Sequence, residues 1–145
     1  MSAVVGKHQL EHLEEFLLKR NQVAKWYQEA LANIEGISLF HTPPKSRHSY
    51  YKYPVRLADW LSREELAAIL KDKYGVETGH VYYPPCHLQP FYMQEFGFKV
   101  GNFPIAEQVL NKVMCLPMHC EITQENVEYI AESLATSIRK LSETS

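Results

Sequence analysis

This sequence has few cysteines, no excess of charge of one sign and no long hydrophobic run, and each shortage argues against a class of protein. Three cysteines among 145 residues, an odd number without framework spacing, argue against a disulfide-stapled secreted domain and are typical of a reducing cytoplasm. A net charge of −2 gives no basic footprint for nucleic acid. We therefore expect a cytoplasmic protein with no nucleic-acid partner.

Membrane association is not expected either, because no run of about eighteen apolar residues occurs. The opening residues, MSAVVGKHQLEHLEE, become charged too early for a secretory signal peptide. The hydrophobic content of 46% and the charged content of 22% are ordinary for a globular protein, and the length suffices for one domain with its own core. Residues 1–145 are therefore interpreted as a single domain.

One long N-terminal helix is predicted over residues 1–35, with Gly36 placed to end it. Apolar residues recur along it at helical spacing: Leu10, Leu13, Phe16, Leu17, Val23, Ala24, Tyr27, Ala30, Leu31 and Ile34. A helix of roughly thirty residues, about 45 Å long, exceeds what a compact domain of this size requires. We therefore expect its first turns to pack against something that this domain does not provide.

The rest of the pattern predicts a small sheet covered by helices. Strands are expected over residues 37–40, 51–57, 76–83 and 113–118. Pro54 lacks a backbone donor, so the second strand is expected at an edge or a bulge. Helices are predicted from the capping box of Ser62 and Glu65 to Gly75, from Pro104, and from the cap Thr123. This order predicts an α+β fold with a small, mostly antiparallel sheet packed with helices.

The stretch GHVYYPPCHLQPFYM, residues 79–93, concentrates residue types that carry chemistry, and a metal site is the first alternative. The ligand types in and after it are His80, Cys86, His87, Cys115, His119 and Cys120. The pairs at 86–87 and 119–120 are adjacent in sequence, so in an extended chain the members of each pair point in opposite directions. We expect no metal site, and we expect Cys115 to be a small buried hydrophobe.

A nucleophile is the second alternative. Cys86 and His87 are sequence neighbours, which are poorly placed to meet as nucleophile and base, and no helix N-terminus or glycine-rich turn is placed to activate the thiol. In SRHSYYK, residues 46–52, Lys52 resembles a Schiff-base lysine, but its alternating strand pattern favours a solvent-facing position. Neither motif predicts a catalytic residue.

A recognition surface is the third alternative. Flat aromatic faces and directed hydrogen bonds are offered by Tyr82, Tyr83, Phe91, Tyr92, His87 and Gln89. Prolines at positions 84, 85 and 90 pre-set the backbone and reduce the entropy lost on binding. This combination suits a sugar or a nucleotide, while the alternative that half of the rings belong to the core stays open.

Three segments resemble a known family. ETGHVYYPPCHLQPFY and the later GNFPIAEQVLNKVMCLPMHCEITQENVEYI are similar to the C-terminal segment of the DegT/DnrJ/EryC1/StrS sugar aminotransferases, and MSAVVGKHQLEHLEEFLLKRNQVAKWY resembles the helix that leads into it. The resemblance covers nearly the whole chain. It departs from the family pattern at His80, which precedes Val81 instead of following a valine, at Asn102 in place of the usual Asp, and at Cys120 in place of the usual Pro.

The resemblance implies a fold-type I, pyridoxal-phosphate-dependent family that transfers an amino group, usually from glutamate, to a keto-sugar nucleotide. In that family the Schiff-base lysine, the partner of the pyridine nitrogen and the phosphate-holding residues lie in a larger N-terminal domain. This chain is therefore expected to contain no catalytic or cofactor-binding residue and to bind no pyridoxal phosphate itself. Tyr82, Tyr83, His87 and Tyr92 are implied to approach the sugar-nucleotide side of the active site.

Two functions are consistent with these expectations. The first is the C-terminal portion of a sugar aminotransferase, a small domain that is inactive alone, whose partner is the missing large domain or a second copy of the chain. The second is a stand-alone module that binds a sugar nucleotide or assists assembly.

Overall fold

The computed structural model describes residues 2–144, which contain six α-helices and three β-strands. The helices are α1 (Ser2–Glu11), α2 (Leu13–Leu31), α3 (Arg63–Tyr74), α4 (Pro90–Phe96), α5 (Pro104–Asn111) and α6 (Gln124–Thr144), and the strands are β1 (Ile37–Leu39), β2 (Tyr53–Leu57) and β3 (Val113–Leu116). The strands form one antiparallel sheet in the order β1-β2-β3. The predicted α+β class with a small antiparallel sheet is confirmed.

The N-terminal helical segment is divided in two at His12. His12 has φ −100° and ψ 2°, and its backbone N–H donates to the Gln9 carbonyl oxygen at 3.2 Å. This bond spans three residues instead of four and closes a tighter turn than that of an α-helix. The structure thus differs from the single continuous helix predicted over residues 1–35. α2 ends at Leu31, so Gly36 does not end the helix as predicted. Gly36 lies instead in the turn before β1, with φ +84°.

The local signals for the other helices are confirmed. The Ser62 hydroxyl accepts a hydrogen bond from the Glu65 backbone N–H at 3.2 Å, and Gly75 ends α3 in the left-handed conformation. The Thr123 hydroxyl caps α6 by accepting from the Asn126 N–H at 3.2 Å. None of the described helices is long and apolar enough to cross a membrane.

β2 is the central strand of the sheet, so the edge position predicted from Pro54 is wrong. Pro54 lies opposite Cys115 of β3, and Cys115 directs both its backbone donor and its acceptor away from β2, to Gly79. Pro54 and Cys115 are therefore a non-hydrogen-bonded pair, and the missing donor of Pro54 falls on the β1 side. β1 has already ended at Leu39, opposite Val55, so the proline breaks no ladder bond.

The strand predicted over residues 76–83 is reduced to one bridge. Gly79 and Cys115 exchange both backbone hydrogen bonds at 2.8 Å, beside β3. Beyond this bridge Tyr82 has φ +47°, which an extended strand does not allow, and the prolines at 84 and 85 offer no donors. The prediction of a full strand is therefore wrong, and the chain leaves the sheet edge after Gly79.

The core lies between the sheet and three helices. α2 packs against α6, and α3 packs against α6. The Tyr27 ring of α2 stacks on the Tyr53 ring of β2 with 4.7 Å between centroids, and the Tyr27 hydroxyl donates to the Pro117 carbonyl oxygen at 2.9 Å. α4 and α5 contribute no buried side chain, so this part of the molecule lies outside the core.

The first turns of the chain also lie outside the core. Val4, Val5 and Leu10 are exposed, whereas Val23 and Tyr27 further along are completely buried. The exposed residues belong to the turns for which the sequence predicts an outside partner.

Candidate functional site

The segment over residues 79–93, called the tyrosine–proline loop below, is fixed at both ends. It starts at the Gly79 bridge to β3 and ends in α4. Between these ends Cys86–Leu88 forms one turn of 3₁₀-helix, in which the Leu88 N–H donates to the Pro85 carbonyl oxygen at 2.8 Å. The Gln89 side chain donates to the Pro84 carbonyl oxygen, also at 2.8 Å. The loop is therefore held by its own hydrogen bonds as well as by its ends.

Lys52 supports the first part of the loop. Its ammonium group donates to the His80 carbonyl oxygen at 2.9 Å and lies 5.9 Å from the centroid of the Tyr82 ring. Lys52 directly precedes β2, so its predicted place within a strand is wrong, and its side chain is half-buried. The Tyr82 ring stays 69% exposed and is available to a ligand.

Arg63 supports the next residue of the loop. Its guanidinium carbon lies 4.0 Å from the centroid of the Tyr83 ring, a close cation–π contact. The same guanidinium donates to the Leu110 carbonyl oxygen at 3.0 Å and to the Glu64 carboxylate at 2.6 Å, and Arg63 is buried. This arginine therefore ties the start of α3 to the end of α5 and to the Tyr83 ring, which remains 38% exposed.

His87 faces the protein. Its side chain is 8% exposed, and its Nε2 lies 2.9 Å from Oε1 of Glu107 on α5. The rings of Phe103 and Phe98 lie edge-on to the imidazole, at 4.8 and 6.4 Å between centroids. In this conformation His87 fixes the 3₁₀ turn to α5, and its Nε2 is already engaged.

The Glu107 carboxylate is the centre of a small hydrogen-bond network. Both of its oxygens accept from the Gly101 N–H at 2.9 Å, and Oε1 also accepts from the Phe103 N–H at 3.1 Å. These hydrogen bonds, first that from Gly101 and then those from Phe103 and His87, hold the pKa of the Glu107 carboxyl below its ordinary value. Glu107 is therefore ionised at neutral pH.

Tyr92 lies on α4 within a row of aromatic rings and is 42% exposed. It contacts Phe91 edge-on at 5.3 Å and stacks on Phe96 at 6.0 Å. The row continues from Phe96 to Phe98 at 5.8 Å and from Phe98 to Phe103 at 5.5 Å, and so reaches the ring beside His87. Tyr92 and His87 are thus two ends of one aromatic cluster.

An open cavity of about 380 Å³ lies between the loop and α5. It is lined by Tyr83, Pro84, Pro85, Leu88, Val100, Glu107, Gln108 and Asn111. The volume lies at the lower end of the range for ligand pockets, and an aromatic ring together with two side-chain amides can contact a hydroxylated ligand. Of the four predicted binding residues, Tyr83 is the one in this lining.

Neither the metal site nor the cysteine nucleophile is formed by the described residues. Within residues 2–144, no group of three or more His, Cys, Asp or Glu side chains is placed to hold a metal ion. Cys115 is buried in β3, and burial raises the pKa of its thiol. Cys86 is exposed, but the neighbouring His87 directs its Nε2 to Glu107. The prediction that Cys115 is a small buried hydrophobe is confirmed.

The family resemblance extends over nearly the whole chain. The model of the DegT/DnrJ/EryC1/StrS aminotransferase family matches residues 1–135. The chain belongs to this family.

Relatives in this family match nearly all of the chain. The spore coat polysaccharide biosynthesis protein SpsC of Bacillus subtilis is 27% identical over 96% of the chain and 36% of its own length. The dTDP-4-amino-4,6-dideoxy-D-glucose transaminase of Escherichia coli is 29% identical over 92% of the chain and 36% of its length. The chain therefore spans about a third of the length of the curated relatives that it matches.

Solved structures agree in fold. The aminotransferase TlmJ from Streptoalloteichus hindustanus superposes with a TM-score of 0.81 at 30% identity, covering 95% of the chain and 36% of TlmJ. The predicted relation to aminotransferases thus extends to three dimensions.

The family implies pyridoxal phosphate as a cofactor, but the lysines of this chain do not suit the role of its Schiff-base lysine. A Schiff-base lysine requires a desolvated or otherwise activated amine facing a pocket. The half-buried Lys52 donates to a backbone carbonyl, and the half-buried Lys112 donates to the carbonyl oxygens of Asp59 and Leu61 at 2.8 Å. The other lysines are exposed. No step through pyridoxal phosphate is therefore assigned to these residues.

Sequence reasoning did not predict that Lys52, Arg63 and Glu107 hold the loop. Lys52 was considered only as a possible Schiff-base lysine, and neither it nor Arg63 gave a local signal for this role, because their contacts bring together distant parts of the chain. Glu107 did give one, since a glutamate in the first turn after Pro104 commonly reaches back to the free N–H groups at a helix start.

Proposed function

We propose that this chain is the C-terminal part of a pyridoxal-phosphate-dependent aminotransferase that acts on keto-sugar nucleotides in amino-sugar or polysaccharide biosynthesis, and that it is inactive alone. The match of the family to residues 1–135 carries this proposal. The Escherichia coli relative is named for a dTDP-sugar, which supports a nucleotide sugar as the substrate class. The Schiff-base lysine would come from the part of such a protein to which this chain does not correspond.

The contribution of this chain to the substrate site is the tyrosine–proline loop. Tyr82, Tyr83 and Tyr92 present partly exposed rings, and Tyr83 also lines the cavity beside α5. Exposed tyrosine rings on a backbone fixed by prolines and hydrogen bonds suit a sugar nucleotide, because little entropy is lost on binding. His87 belongs to the same site but acts by holding the loop.

A binding measurement with the intact chain tests this site. We expect dTDP-glucose, titrated into isotope-labelled protein, to shift the NMR signals of residues 79–93. Tyr83→Ala should weaken this binding by about tenfold, because the ligand loses the Tyr83 ring against which it packs. Tyr51→Ala removes an exposed tyrosine that lies outside the loop and is the matched control. Equal affinities for the two variants, or no shift with the wild type, would contradict the assignment.

A second function, assembly, is favoured by the exposed apolar surface. Val4, Val5 and Leu10 on α1 and Ile105 on α5 are more than half exposed, although each lies on a helix. Surfaces of this kind usually face a partner. The partner we propose is a second copy of this chain or the remaining part of an aminotransferase of the relatives' length.

A further inference from the structure

The Glu107 side chain contacts both segments flanking the cavity. The 3₁₀ turn of the loop reaches it through His87, and the turn over residues 97–103 reaches it through the N–H groups of Gly101 and Phe103. The Glu107 side chain is 17% exposed, so these contacts are shielded from competing water on most sides. A hydrogen bond to an ionised carboxylate is about twice as strong as one between neutral groups.

The surroundings of His87 make the Glu107 contact the one polar restraint on its ring that the structure shows. Phe103 and Phe98 cover the imidazole edge-on and offer it no hydrogen-bond acceptor of their own. His87 lies between the prolines that follow Tyr83 and the start of α4 at Pro90. The imidazole therefore joins the 3₁₀ turn, which follows Tyr82 and Tyr83, to α5 through Glu107.

We propose that Glu107 is a positioning residue for the tyrosine–proline loop, acting through His87 and through the turn at Gly101 and Phe103 to set the place of Tyr83 beside the cavity. This role rests on the proposed sugar-nucleotide site, which it deepens. Glu107 would thus contribute to ligand affinity through its effect on the position of His87.

A double-mutant cycle tests whether Glu107 acts through His87. The variants are Glu107→Gln, His87→Asn and the two combined, and Glu95→Gln on α4, whose side chain is exposed, is the matched control. We expect Glu107→Gln to raise the Kd for dTDP-glucose by about tenfold or more and His87→Asn to raise it by up to that amount. The double change should raise the Kd no further than Glu107→Gln alone, because that variant has already lost the His87 contact. Additive losses in the double variant would overturn the inference.

A second readout does not depend on any ligand. In the wild type the amide proton shifts of Gly101 and Phe103 should follow the titration of the Glu107 carboxyl, and their hydrogen exchange should be slow. In Glu107→Gln the titration should disappear and exchange should accelerate at these residues and in the 3₁₀ turn. If Glu107→Gln does not fold, Glu107→Asp, which keeps the charge but shortens the reach, replaces it. Unchanged exchange in the 3₁₀ turn would refute the positioning role.

The two readouts separate failure of the inference from failure of the proposed function. Wild-type protein that does not bind dTDP-glucose contradicts the sugar-nucleotide site, while the exchange data still decide whether Glu107 sets the loop. Wild-type binding that Glu107→Gln leaves intact contradicts the positioning role alone.

Discussion

At the scale of single residues, the most tightly enclosed polar group described above is the Tyr27 hydroxyl. Tyr27 has no exposed surface, and its hydroxyl is the donor to the Pro117 carbonyl. Burial, above all, raises the pKa values of Tyr27 and of the stacked Tyr53 above the ordinary tyrosine value. Both phenols therefore remain protonated in the folded protein at pH values where they ionise in the unfolded chain.

Tyr27→Phe should lower the free energy of unfolding at neutral pH by about 1–3 kcal/mol, because it leaves the Pro117 carbonyl without its donor. The stability that the Tyr27 and Tyr53 phenols contribute should be fully present below about pH 10, where free tyrosine titrates, and should be lost as the pH rises further, since the unfolded chain releases these protons first. The variant should lose stability less steeply. Urea unfolding at neutral and alkaline pH measures both effects.

Tyr51→Phe is the control for this prediction, because Tyr51 is exposed. A Tyr27→Phe variant with the same alkaline profile as the wild type would show that the buried phenol does not govern the loss.

Residue roles that depend on distant partners could not be predicted from the sequence. The burial of Cys115 was predicted, because an apolar strand around a cysteine is a local signal. The orientation of His87 was not, because its partner Glu107 lies twenty positions away and the loop between them could have folded in other ways. The resemblance to the family selected the loop, and the contacts within it came from the structure.

At the scale of elements, the caps of α3 and α6 were predicted correctly, whereas the positions of the strands in the sheet were not. Ser62, Gly75 and Thr123 act through neighbours within a few residues, so the sequence contains their whole signal. The place of Pro54 in a central strand depends on where β1 ends, and the loss of the 76–83 strand depends on the path of the loop. Both require knowledge of a neighbouring strand.

Gly36 and Gly6 provide a matched pair of substitutions at this scale. Gly36 has φ +84°, and a Cβ there would approach Leu61 Cδ1 and Trp60 Cζ2 at 3.0 Å, whereas a Cβ at Gly6 in α1 has nothing within 4 Å. We expect Gly36→Ala to lower the free energy of unfolding by about 1–3 kcal/mol. Gly6→Ala should increase helicity, with a local gain of about 1 kcal/mol. Urea unfolding and circular dichroism test both.

This pair also tests where the core lies. If Gly36→Ala were neutral, the close packing of the α2–β1 turn on Leu61 and Trp60 would be wrong. If Gly6→Ala destabilised the whole protein, α1 would be part of the cooperative core and not an outlying helix.

At the scale of the whole molecule, the exposed apolar side chains of α1 predict self-association of the chain as it stands. Val4 and Leu10 are exposed apolar side chains on one short helix. Light scattering should find a dimer or a higher species in the wild type, and Val4→Glu with Leu10→Glu should shift it to the monomer, because a charge opposes burial of each of these side chains. Lys7→Glu changes the charge of the same helix without removing an apolar side chain and is the control. A monodisperse wild-type monomer would contradict the prediction.

The packing of α2 against α6 has a consequence for the synthesis of the chain. Most of the described chain separates the two helices, so α6 leaves the ribosome after α1–α5 and the three strands. Until then the face of α2 that carries Val23 and Leu31 has no cover, and a nascent chain stalled at α5 offers that face to chaperones and proteases. Folding of this unit is therefore expected to finish only after α6 has been synthesised, with no stable product that lacks α6.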